Sequence, residues 1–109
     1  MAWKWYDVTS YVVGIGAQAG GSYYGSVQLN GAGFYGLLSF PRAGSPLAPA
    51  SAPIVAGQQR FYGSLDFVQL PPLVDILRNE KPVRIGWSDG NPSVFHVLTG
   101  SEPVGEGEV

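Results

Sequence analysis

The sequence predicts a mainly β protein: a small, coiled antiparallel barrel or sandwich of about six or seven strands with one short helix at residues 72–80. Three observations favour this fold class. Apolar and polar residues alternate along several stretches, glycine-, asparagine- and proline-rich turns separate those stretches, and a single stretch has the period of a helix. A partly open barrel is the first choice among these architectures.

Three strands are predicted in the first half of the chain. The first covers residues 3–17, and its large residues fall mostly on one parity: Trp3, Trp5, Tyr11, Val13 and Ile15. Val8 and Val12 fall on the other parity, which suits a strand covered on both faces over its far half. Residues 23–29 and 34–40 also alternate. The dipeptide Asn30-Gly31 between them predicts a hairpin turn, because both residue types tolerate positive φ.

A proline-rich segment divides the chain. Pro41–Pro53 contains four prolines, which cannot donate a ladder hydrogen bond, so the segment is expected to be a free loop or an arm exchanged with a neighbouring subunit. A short strand at residues 54–55 and a longer one at residues 59–70 are predicted to follow.

The last third of the chain is predicted to hold the helix and a final hairpin. Pro71-Pro72 suits a first helical turn, and Leu73, Ile76 and Leu77 would share one helical face. Two further strands, at residues 83–87 and 94–98, flank a turn at residues 89–92.

Three seven-residue segments share one pattern of aromatic, Tyr, Gly, variable, aliphatic, polar and apolar residues. They span residues 23–29, 34–40 and 61–67. In strand geometry their odd members face the interior: Tyr23, Val27, Leu29, Phe34, Leu38, Phe40, Phe61, Leu65 and Phe67, together with Gly25, Gly36 and Gly63. The inward glycines indicate strong coiling or close approach by a side chain or ligand. The pattern is either ordinary half-buried strand or a duplicated ligand-lining element.

The composition predicts a single association-prone domain. Of the 109 residues, 45% are hydrophobic and only 13% are charged, against about a quarter in typical soluble domains. Much of the surface should therefore be neutral, aromatic or covered, and we expect a homo-oligomer. Residues 1–100 are predicted to form the domain, and residues 101–109, which include three glutamates, a flexible acidic tail.

Several partner classes are disfavoured. The six Lys and Arg residues are scattered, so nucleic acid is not an expected partner beyond stacking on single strands as a minor option. The chain has no cysteine, no signal-peptide pattern and no apolar stretch of about 18 residues. We therefore expect a cytoplasmic protein with no membrane contact, no cofactor and no metal site.

Catalytic chemistry has one weak candidate. His96 is the sole histidine, and Asp66 and Asp89 are the only acids expected within its reach. If Trp87 lies opposite Ser93, His96 faces outward beside Arg84, which favours a structural or solvated role. Alternation places Asp66 on the surface of a strand. An enzyme therefore stays a remote alternative, and no residue is assigned as catalytic.

The favoured function is a non-catalytic β-barrel protein, a homo-oligomer that binds a small apolar or aromatic ligand or a sugar. The middle tyrosines of the three segments are predicted to form an exposed row, and tryptophans at strand ends can lie at a rim. The predicted ligand- or partner-binding residues are Trp5, Tyr24, Tyr35, Tyr62, Trp87 and His96. The alternative is a protein-interaction or structural subunit without a small-molecule ligand, in which these residues and the proline arm are subunit contacts.

Overall fold

The computed structural model describes residues 2–18 and 22–99, and within these ranges the chain is mainly β, as predicted. The strands are β1 Trp3–Val8, β2 Ser10–Gln18, β3 Ser22–Gly31, β4 Phe34–Pro41, β5 Ile54–Val55, β6 Gln58–Ser64, β7 Val83–Ser88 and β8 Asn91–Thr99. One α-helix, α1 Leu70–Asn79, follows a 3-10 helix at Phe67–Gln69. The predicted acidic tail at 101–109 lies outside the described residues.

The strands form two sheets that are not closed into a barrel. The small sheet has the order β1-β7-β8, and the large sheet has the order β2-β3-β4-β6-β5. All pairs are antiparallel except β4 and β6, which are parallel. No ladder joins the two sheets in the described ranges, so the arrangement is consistent with the predicted barrel or sandwich, in a form that is not closed.

The predicted first strand is in fact two strands in different sheets. Thr9 separates β1 from β2, and its backbone N–H donates to the Asn30 carbonyl at 2.8 Å. In β1 the odd-numbered side chains lie on the outer face of the small sheet. After the crossing at Thr9, the odd-numbered side chains of β2 lie on the inner face of the large sheet. Tyr11 therefore lies in register with the buried Leu29, whereas Trp5 lies outside.

The core lies where the repeated segments predicted it. Six of their odd members are at most 1% exposed: Val27, Leu29, Phe34, Leu38, Phe40 and Phe61. Neighbouring side chains fill the space above the inward glycines; at Gly63 they are the rings of Phe61 and Phe95. The side chain of Tyr23 lies outside the described part of the chain.

The third segment departs from the pattern after its first half. β6 ends at Ser64, and Asp66 caps the 3-10 helix by accepting the Val68 N–H at 3.0 Å, so the predicted strand over 59–70 is too long. α1 then starts two residues earlier than predicted. It buries Leu70, Leu73 and Leu77 against the sheets, and Ile76 is half-buried.

The β3–β4 turn and the register of the last hairpin differ from the prediction. Asn30 and Gly31 stay in the β3–β4 ladder, and the turn lies at residues 32–33, where Gly33 has φ +66°. Only glycine fits at position 31, because the Asp7 carbonyl occupies the space that a side chain would need. In the last hairpin an irregularity at residues 87–88 places Trp87 opposite Phe95 instead of Ser93.

The proline-rich segment is not a free loop, because its second half packs on its own chain. Ser51 and Tyr62 exchange two backbone hydrogen bonds at 2.9 and 2.8 Å, and residues 54–55 pair with β6. The buried Gln59 amide nitrogen lies 3.1 and 3.2 Å from the carbonyls of Ala52 and Pro53. Carbonyls in a proline-rich segment still accept hydrogen bonds, which lets the segment line the sheet edge.

Candidate functional site

The outer face of the small sheet carries a continuous row of π-bearing side chains, which we call the aromatic row: Arg84, Trp5, Trp3 and His96. The Arg84 guanidinium lies 5.5 Å from the Trp5 ring centroid. Trp5 and Trp3 stack with centroids 5.6 Å apart and planes at 18°. Trp3 then stacks on His96 at 5.5 Å and 30°. The row therefore crosses all three strands.

Small residues on the central strand make the row possible. On its outer face β7 presents Gly86 opposite Trp5 and Ser88 opposite Trp3. The Trp5 ring occupies the space above Gly86 that a Cβ would fill. The two indoles can therefore lean across β7 toward His96 on the far strand. A larger residue at position 86 would push the rings away from the sheet.

The row is accessible to solvent. Trp3 is 39% exposed and Trp5 is 37% exposed, and His96 is also exposed. Val94 and Leu98, at 44% and 39%, extend the apolar surface along β8. Such a surface can stack on a flat ring, while Arg84 at one end can donate to polar groups of a ligand.

Part of the aromatic row was predicted from the sequence. Trp5 and His96 were predicted as binding residues, and the structure brings both to one face. Trp3 was not among those residues, although its shared parity with Trp5 placed the two indoles together. Arg84 was expected beside His96, but the register places Gly86 there, and Arg84 instead lies by Trp5.

Trp87 lies in the core and not at a rim. It is 1% exposed and stacks with three rings, Tyr6, Phe34 and Phe61, at centroid distances of 5.6, 6.0 and 4.8 Å. Trp87 is on β7, the central strand of the small sheet, and its side chain points inward, between the two sheets. Its indole is therefore closed to a ligand in this structure.

The three tyrosines do not form one exposed row. Tyr24 is 48% exposed and lies over Gly16, near the end of the β2–β3 ladder where Gln18 pairs with Ser22. Tyr35 and Tyr62 are half-buried toward the other end, where Arg60 lies 5.7 Å from the Tyr35 ring and 3.4 Å from the Tyr62 hydroxyl. Parallel pairing of β4 with β6 offsets the segments, so Tyr35 faces Arg60.

In the part of the chain that the structure describes, no carboxylate forms an acid–base pair with His96. Asp66 accepts the backbone N–H groups of Gly44 at 2.8 Å and Val68 at 3.0 Å, which hold the pKa of its carboxyl below the ordinary value. Asp89 lies in the β7–β8 turn. Neither is a partner of His96 over residues 2–18 and 22–99, and the same ranges contain no cluster of three or more potential metal ligands.

Two open depressions lie away from the aromatic row. One of about 800 Å³ lies between the β1–β2 crossing and the end of α1, and its lining includes Asp7, Arg78 and Lys81. The other, of about 440 Å³, lies beside Tyr24 over a row of serines from three strands, Ser26, Ser39 and Ser64.

Among the described residues, the single α-helix is too short and too polar to span a bilayer.

Comparison with known proteins identifies no family for this chain. No family model, curated protein sequence or solved structure matches the chain.

Proposed function

We propose that this protein is a non-catalytic binding protein that holds a ring-bearing ligand, a sugar or a small aromatic molecule, on the aromatic row. The observation that carries the proposal is the exposure of two stacked indoles, Trp3 and Trp5, on an otherwise folded sheet. The core does not use these rings: both lie on the outer face, opposite the side that packs against the large sheet.

The geometry supports stacking as the mode of binding. Exposed contiguous apolar surface on a small protein marks an interaction site, and indole offers a broad face with one N–H donor. Stacking on each other and over Gly86 restricts the rings before a ligand arrives, so less side-chain entropy is lost on binding. Arg84 places a cation at the end of the row, which favours ligands with hydroxyl or carboxylate groups.

The test is a titration of the full chain, by calorimetry and tryptophan fluorescence, with maltohexaose, cellohexaose, chitohexaose and 2-naphthoate. At least one probe is expected to bind. Trp3→Ala and Trp5→Ala should each weaken that binding by roughly three- to tenfold or more, since each stacked ring contributes about 0.5–1.5 kcal/mol beyond its area. Tyr35→Ala, which removes an aromatic ring from the other sheet, should leave the affinity unchanged.

Failure of all four probes to bind would contradict the proposal and favour the alternative of a structural or protein-interaction subunit. Equal weakening by Trp3→Ala and Tyr35→Ala would also contradict it, because the effect would then come from general destabilisation. The enzyme alternative has no support in the surroundings of His96, which stacks on Trp3 and has no carboxylate partner among the described residues.

A further inference from the structure

We propose that the free edge of β2 pairs antiparallel with the same edge of a second copy, joining two five-stranded sheets into one continuous sheet. β2 bonds to β3 on one side and is the edge strand on the other. Every second one of its nine residues therefore presents a backbone N–H and C=O group at that edge. The inference is independent of the aromatic row, which lies on the other sheet.

β2 lacks the features that normally protect an edge strand. No charged residue occurs between Asp7 and Arg42, and no proline falls within β2. Apolar side chains are exposed on both of its faces: Val12 is 58% exposed on the outer face, and Val13 and Ile15 are 37% and 72% exposed on the inner face. A long, uncharged edge with exposed apolar side chains associates unless it is covered.

The other sheet edges are protected, which singles out β2. β5 has two residues and follows the proline-rich segment. β1 carries Lys4 and Asp7. β8 carries Pro92, and the Ala50 N–H of the proline-rich segment donates to Ser93 at 3.2 Å. Short edges, charges, prolines and covering loops are the usual means of preventing edge pairing.

A second copy fits this edge better than a foreign strand. A two-fold axis at Gly14 places Tyr11 opposite Ala17, Val12 opposite Gly16 and Val13 opposite Ile15, so each larger residue meets a smaller or apolar one. On the outer face, Val12 of one copy would approach the exposed Tyr24 ring that covers Gly16 in the other. With no charge on either side, the edge is neutral and complementary to itself. A nine-residue ladder also supplies about the ten hydrogen bonds typical of a stable interface.

The test measures the mass of the full chain by sedimentation equilibrium over a wide concentration range. The wild type is expected at twice 11.6 kDa. Ile15→Lys should weaken the dimer by about a hundredfold, because it replaces an apolar side chain next to the shared edge in each of the two copies by a charged one. Ile54→Lys is the matched control, since Ile54 is 67% exposed at the protected β5 edge, and it should leave the mass unchanged.

Hydrogen exchange gives a second readout that needs no variant. Amides of β2 that point away from β3 should be protected at high protein concentration and exchange rapidly on dilution, while core amides of β4 stay protected throughout. A wild type at 11.6 kDa at every concentration would overturn the proposal. Equal dissociation by Ile54→Lys, or β2 amides insensitive to dilution, would overturn it as well.

Discussion

Trp87→Ala should remove the main packing contact between the two sheets. Trp87 lies on the central strand of the small sheet, whereas Phe34 and Phe61, two of its stacking partners, belong to the large sheet. Truncation leaves a cavity that these rings cannot fill without moving the strands that carry them. The effect should therefore fall on the whole fold and not on one surface.

The expected loss is about 4 kcal/mol of unfolding free energy. An indole that is 1% exposed removes roughly 150–250 Å² from water, worth about 4–6 kcal/mol at 25 cal/mol per Å². Buried Trp→Ala changes cost about 3–5 kcal/mol in practice. Because a domain of this size has about 5–15 kcal/mol in total, the variant is expected to be marginally stable. Trp87→Phe keeps a ring and should cost about 1–2 kcal/mol.

Urea denaturation followed by circular dichroism measures both variants. With a slope near 2 kcal/mol per M, Trp87→Ala should lower the midpoint by about 2 M. The matched control is Trp3→Ala, which removes an indole that is 39% exposed and should cost less than about 1 kcal/mol. The reasoning is refuted if Trp87→Ala keeps the wild-type midpoint, or if Trp3→Ala lowers it equally.

Three further changes test other parts of the fold. Gln59→Leu removes the buried amide that binds the proline-rich segment, so it should cost about 1–3 kcal/mol and speed proteolysis within residues 42–53. Gly63→Ala brings a methyl group within 2.8 Å of the Phe61 ring and should cost about 1–3 kcal/mol by urea denaturation; Gly14→Ala, which meets only a serine hydroxyl at 3.2 Å, should cost less. Asp66→Asn should lower the urea midpoint at neutral pH because the folded state lowers the pKa of that carboxyl. The difference from wild type should persist above the ordinary value of 3.8 and disappear as the pH falls through the lowered pKa.

Local alternation predicted burial well. Val27, Leu29, Phe34, Leu38 and Phe40, inward members of the first two repeated segments, belong to the core. The helical spacing of Leu73 and Leu77 correctly indicated a buried helical face. These features depend on the period of the backbone, which each segment carries in its own residues. The residues of the core could therefore be found without knowing the strand order.

Features that depend on distant pairing could not be predicted in the same way. The alternation of apolar and polar residues does not predict which strands pair, so it could not show that β4 pairs parallel with β6. Because of that parallel pairing, Tyr35 lies beside Arg60 and apart from Tyr24. The irregularity near Trp87 shifts the last hairpin, which places His96 opposite Gly86. The aromatic row results from these long-range registers, so only its individual members were visible in the sequence.

The proposed function is tested most directly by the three indole N–H signals in a two-dimensional NMR spectrum, recorded with and without the probe that binds best. Assignment follows from the single Trp→Phe variants. The account predicts that the Trp3 and Trp5 signals shift together as the probe is added, while the buried Trp87 signal stays in place. Unchanged Trp3 and Trp5 signals at saturation, or a shift confined to Trp87, would contradict it.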